Sequence, residues 1–280
     1  MEFRYQGEAF EQKFFARLTS KEIAELPKQN ALIILPVGAV EQHGPHLPVF
    51  TDSLIVEGIL HSACKHLKEE DNIWILPPIA YSKSIEHLGY AGTISLSGST
   101  LEAMIKDIAA SLKKSGFRKF VLFNSHGGNH DLLNSVARDI RIETGLMTFR
   151  LNSYDFNVSE DLIEEKEAAY GIHGGEIETS FILSFKTDWV KKELCPDEFI
   201  QFPESAKHLQ LKGSHYVAWR MEDISKSGVL GNAKKASKET GEIIANRLGE
   251  KLAVVLREMA EFEMDDLINI STEKQYSPLT

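Results

Sequence analysis

Four short apolar runs, separated by amphipathic stretches, constrain the fold of this chain more than any other feature. "ALIILPVG" (31–38), "NIWILPPIA" (72–80), "KFVLFNSHG" (119–127) and "LMTFRLN" (146–152) are too short for core helices and read as strands buried on both faces. Between the first two, residues 53–68 place Leu54, Ile55, Ile59, Leu60, Ala63 and Leu67 on one helical stripe. Residues 100–114 repeat this with Leu101, Met104, Ile105, Ile108 and Leu112, and Ser99 or Thr100 is the expected N-cap. Asp131 to Thr144 reads as a third helix stopped by Gly145, and a long last helix spans roughly 235–262. Such alternation predicts an α/β fold with a mostly parallel sheet and helices on both faces. No repeat, linker or composition break divides the chain, so residues 1–280 are expected to form a single domain, with the tail from about 264 loosely ordered.

Charge and cysteine usage narrow the partners. A net charge of -10 with no basic block argues against nucleic acid or an anionic membrane surface. The N-terminal "MEFRYQGEAFEQKFF" lacks a signal-peptide pattern, and no apolar run approaches the ~20 residues that span a bilayer. Cys64 and Cys195 are isolated, as suits a reducing compartment. The expectation is a cytoplasmic protein acting on a small molecule.

In open α/β sheets ligands bind beyond the carboxyl ends of the strands, so polar residues just past those ends carry the functional information. Glu41, His43, His46 and Asp52 follow the first run; Asn124, Ser125, His126, Gly127, Gly128, Asn129 and His130 follow the third. "IHGGEIETS" adds His173, Glu176 and Glu178 at an expected helix start. Imidazoles and carboxylates together suit borderline divalent cations, and the set is large enough for two. A two-metal site of this kind holds a hydroxide that attacks a carbonyl carbon, while a nearby imidazole, His173, moves the proton to the leaving nitrogen. Gly127, Gly128, Gly174 and Gly175 would allow close backbone approach.

Each of these residues also admits a plainer reading. A loop histidine such as His43 is usually solvated or packed. Asp52, Glu176 and Glu178 suit a first helical turn, where the dipole favours acids. Asn129 and His130 serve equally as loop or cap residues. His61, His66, His208 and His215 carry no functional expectation. A Ser125–His126 nucleophile pair is disfavoured because adjacent residues at a strand end seldom face each other. No phosphate loop, nucleophile elbow or dinucleotide fingerprint is present.

Taken together, "LPVGAVEQHGPHLP", the aspartate that follows Glu41 at position 52, "NSHGGNHD", "HGGEIETS" and "GNAKKASKETGEII" resemble the creatininase (creatinine amidohydrolase) family, from about residue 31 to the last helix. The resemblance implies a three-layer α/β/α sandwich, a homohexamer, and two divalent metal ions per chain, Zn²⁺ and/or Mn²⁺. It further implies that Glu41, Asp52 and His126 bind one ion, that His43 and a bridging Asp52 bind the other, and that His173 is the proton carrier. Creatinine-hydrolysing members place a glutamate where this chain has Gly128, and Glu176 is the expected replacement, with Glu178 as a catalytic, ligating or supporting group. Tyr154, Gly127, Gly128, Asn129 and His87 are the expected substrate-side residues.

Creatininases sandwich their flat substrate between tryptophans, whereas the matching positions here are Tyr154 and Ala169. Losing such stacking removes about 0.5–1.5 kcal/mol per aromatic contact, which argues against creatinine itself. The leading expectation is hydrolysis of another non-peptide C–N bond, in a cyclic amide or formamide. The alternatives are hydrolytic C–C ring opening of a cyclic polyol ketone, such as a dehydro-inositol, and a scaffold that binds metal or ligand without catalysis.

Overall fold

The structure, a computed structural model, describes residues 8–267. Its central sheet has four parallel strands: β1 (Leu32–Val37), β2 (Ile73–Ile75), β3 (Lys119–Asn124) and β4 (Met147–Asn152), in the order β2-β1-β3-β4. Val37 pairs with Asn124, and Asn124 with Asn152, so three strands end level along one rim. Strand β2 is shorter than the apolar run that predicts it, because Pro77 and Pro78 cannot donate to a ladder.

Helices cover both faces. Along β1, Leu32 and Ile34 point to one side and Ile33, Leu35 and Val37 to the other, as the two-residue period requires. On the first side lie α1 (Thr51–Cys64), α4 (Glu176–Phe185) and α5 (Lys238–Glu261). The second side is covered by α2 (Gly98–Lys114) and α3 (His130–Thr144). This is the expected three-layer α/β/α sandwich. Fully buried side chains such as Phe120, Phe123 and Ile59 stabilise it by about 1.5–3 kcal/mol each. Helix α5 approaches α4 so closely that a Cβ on Gly241 would overlap the Ser180 carbonyl, and glycine alone permits that contact.

Local signals account for the boundaries, with one correction. Gly145 ends α3 in the left-handed region at φ 72°, as expected. Helix α2, however, is capped by Ser97, whose hydroxyl accepts from the Thr100 amide, and not by Ser99 or Thr100. Met264–Asp266 forms a 3-10 turn, and residues 268–280, the rest of the tail expected to be loose, lie outside the described residues. No helix among the described residues is long and apolar enough to cross a membrane.

Candidate metal centre

The rim formed by the ends of β1, β3 and β4 carries the polar cluster. Glu41 and His43 lie in the loop leaving β1, Asp52 in the first turn of α1, and His126 two residues past β3. His173 is held by a bridge to Leu230, its amide donating at 3.1 Å and its carbonyl accepting at 2.8 Å. Glu178 sits in the first turn of α4 and accepts from the Gly174 amide at 2.6 Å.

Glu41 is the hub. Its Oε2 stands 3.1 Å from His126 Nδ1 and accepts from the Ser84 hydroxyl at 2.6 Å. Its Oε1 lies 3.6 Å from His173 Nδ1 and 3.8 Å from both His43 Nε2 and His87 Nε2. Asp52 reaches two imidazoles, Oδ1 at 3.7 Å from His43 Nε2 and Oδ2 at 3.5 Å from His126 Nδ1. Glu178 Oε2 adds a third carboxylate 3.7 Å from His43 Nε2.

These separations fit cation ligands. Two donors on one tetrahedral ion at about 2.0–2.2 Å stand roughly 3.3–3.6 Å apart. Three trios of ligating atoms are close enough to share an ion: Glu41–His43–His173, Glu41–Asp52–His126 and His43–Asp52–Glu178. The last two share Asp52, the arrangement in which one carboxylate serves two ions. His43 Nε2 and Asp52 Oδ2 are buried without a hydrogen-bond partner, an unfavourable state that a cation would relieve.

Electrostatics point the same way. Burial, with His173 beside it, holds His43 well below the ordinary histidine range, which favours the neutral form that binding a cation requires. Burial also lowers His87, to about 3. Burial and the neighbouring Glu41 push Asp52 well above the carboxylate range. Burial raises Glu41, yet the imidazoles of His126, His87 and His173 together hold it well below that range; reciprocally, Glu41 raises His126 against the burial of that ring. Divalent charge would let both carboxylates ionise together.

Several expected residues lie elsewhere. Glu176 is not in the cluster: its amide is held by Glu167 Oε1 at 2.8 Å, and its carboxyl, raised by burial and by Glu167, joins none of the three trios. Helix geometry gives the reason, since residues two apart on α4 point about 200° apart and Glu178 takes the inward face. Asn129 is fully buried and braces loops, donating to Ser82 Oγ at 3.1 Å and Asn124 Oδ1 at 3.2 Å. Tyr154 stacks on His130, with its hydroxyl 3.3 Å from Nδ1. Gly127 is open, whereas Gly128 lies against His126 and Glu86. Ser125 donates to the Asp52 carbonyl at 2.8 Å, away from His126, which removes the nucleophile-pair reading.

His87 proves central, its ring centroid 4.2 Å from that of His173 and its Nδ1 2.9 Å from Gln42 Nε2. Glu86, Gln42 and Ser84, which contact His126, His87 and Glu41 respectively, carry no expectation from the sequence. The signal was available in "SIEHLGY", a second Glu-His pair shortly after a strand, but the intervening prolines masked its relation to β2. Trp219, 6.4 Å from His87 between centroids, could not be anticipated from its position in the chain.

The creatininase family model, described as creatinine amidohydrolase, matches residues 16–256. A creatinine amidohydrolase of Pseudomonas putida is 30% identical over 88% of this chain and 96% of its own length. A mycofactocin precursor peptide peptidase of Mycolicibacterium smegmatis is 29% identical over 79% and 82%. A 3-dehydro-scyllo-inosose hydrolase of Thermotoga maritima is 26% identical over 89% and 84%. Among solved structures, a creatinine amidohydrolase superposes with a TM-score of 0.72 at 26% identity, covering 90% of this chain and 99% of its own. A manganese form of creatininase does so at 0.70 and 27% identity, covering 89% and 98%.

Proposed function

The chain belongs to the creatininase family of metal-dependent hydrolases, and from that membership we propose that it cleaves a non-peptide C–N bond, in a cyclic amide or a formamide, at a centre holding two divalent ions. The observation that carries this reading is the pair of trios sharing Asp52. Glu41, Asp52 and His126 would hold one ion, and His43, Asp52 and Glu178 the other, both Zn²⁺ or Mn²⁺ being compatible with such N/O donors. Bound there, the ions would polarise a substrate carbonyl and lower the pKa of a water toward neutrality.

The chain's own residues do the rest. His173 Nε2 donates to the Gln42 carbonyl at 2.7 Å, which leaves Nδ1 facing the cluster, 3.6 Å from Glu41 Oε1. That geometry suits proton transfer to a leaving nitrogen. Glu178 both offers a ligand oxygen and anchors the Gly174 amide beside His173. His87, Gly127 and Gly128 line the approach, and Tyr154 stands further out as a wall. The same reading takes the chain as one domain, cytoplasmic, assembled as a homohexamer and acting on a small molecule.

A second reading has its own support. The Thermotoga relative opens the possibility of a cyclic polyol ketone as substrate, and Tyr154 and Ala169 provide no pair of tryptophans for a flat ring. Screening the metal-loaded protein against cyclic amides, formamides and inosose-type ketones separates the two. Amine or ammonia release supports the first reading, and a linear sugar acid the second. No turnover of either class, with metal bound, overturns both.

A further inference from the structure

We infer that Glu86 is a positioning residue of the metal centre, steering the imidazole of His126 through its outer nitrogen in the space that glycine at position 128 leaves open. This rests on the reading of Glu41, Asp52 and His126 as ion ligands.

The His126 ring has two distinct edges. Nδ1 faces inward, 3.1 Å from Glu41 Oε2 and 3.5 Å from Asp52 Oδ2. Nε2 faces outward, 3.0 Å from the Lys83 carbonyl and 3.5 Å from Glu86 Oε1. Both outer groups only accept, so the outer nitrogen carries hydrogen and the inner one is left to bind a cation. A carboxylate beside the outer N–H makes the opposite lone pair more basic and restrains the ring from rotating.

Glu86 belongs to neither Asp52-sharing trio and lies across the ring from them, so it acts through His126 and not as a ligand. Its side chain is 15% exposed, tucked beneath the loop after β3. What makes room is Gly128. A Cβ there would overlap Glu86 Oε1 and come within 2.6 Å of His126 Nε2. Any side chain at 128 and the carboxylate of Glu86 therefore exclude each other. Glu86 and His87 share one 3-10 turn, Ile85–His87, so a single turn addresses two imidazoles of the site.

The test is metal retention by the full-length protein against a chelator titration, for Zn²⁺ and Mn²⁺ separately, with melting of the metal-free forms as the structural control. Glu86→Gln keeps the shape and removes the charge; it should weaken retention of one ion by about 10–100-fold while the metal-free melting temperature holds. Gly128→Ala should weaken it at least as much, by displacing the carboxylate and by crowding His126 Nε2 directly. The double variant should lose less than the two single losses combined, because both changes remove the Glu86 contact. Glu86→Gln that retains both ions as tightly as the wild type overturns the inference alone. Wild-type protein that binds no divalent ion overturns the metal-centre reading together with it. Should Glu86→Gln fail to fold, Glu86→Ala carries the same decision, because it removes the carboxylate and leaves His126 uncrowded.

Discussion

His43 Nε2 faces Asp52 Oδ1 across 3.7 Å, both side chains buried, and the imidazole nitrogen has no hydrogen-bond partner. A pair at that separation is too far apart for a hydrogen bond and well spaced for a common ligand. Because Asp52 belongs to two trios, its loss should affect both ions. Asp52→Asn is expected to bring metal content from two ions per chain to below one, measured by plasma emission on dialysed protein. Retention of two would remove Asp52 from its shared role.

Glu176 and Glu178 give an internal control, two acids on one helical turn with opposite orientations. Glu178→Ala should lose the ion held with His43 and Asp52. Glu176→Ala should keep both ions, and its effect should be confined to folding, since its buried carboxyl belongs to none of the three trios. The reverse pattern of metal content would contradict the orientation of α4 described above.

His173→Ala should retain metal yet lose turnover by about 10²–10⁴-fold, the span of a lost acid–base group. An unchanged rate constant would exclude His173 as the proton carrier. Loss of metal along with activity would instead assign it to the Glu41–His43–His173 trio as a ligand.

His46 predicts an acid limb in stability. Burial lowers it from 6.5 to about 4 in the folded protein, where Nε2 lies 2.8 Å from the Thr179 hydroxyl. The unfolded chain therefore binds the proton first. The contribution is absent above about pH 6.5, grows as a penalty while pH falls, and is complete below about 4. At pH 5 it amounts to about 2 kcal/mol. Chemical denaturation of metal-free protein at pH 7 and pH 5 should show wild type losing stability more steeply than His46→Gln. Equal slopes would show that this ring is not kept neutral by folding.

Much of the fold was legible because it rests on local periodicity. The apolar runs of β1, β3 and β4, the stripes of α1, α2 and α3 and the stop at Gly145 each depend on residues within a turn or two of one another. Short β2 and the Ser97 cap were less legible. There, prolines and competing hydroxyls a few residues apart decide, and several assignments satisfy the same local chemistry.

At the site, residue types and their placement beyond strand ends put forward a wider set, from Glu41, His43, His46 and Asp52 through residues 124–130 to His173, Glu176 and Glu178. The structure brings six of these together: Glu41, His43, Asp52, His126, His173 and Glu178. It separates Glu176 from them, because the phase of α4 relative to the rim is set by packing against α1 and α5 and not by the acid itself.

The amino-acid order alone determined the alternating layers and put coordinating groups at strand ends, since both follow from side-chain period and residue chemistry. Which of those groups meet was decided only in three dimensions. The approach of Glu86 to His126 over Gly128, the insertion of His87 beside His173, and the outward turn of Glu176 depend on loops brought together by burying two sheet faces. That burial is non-directional and summed over dozens of side chains, so no short stretch of sequence records its result.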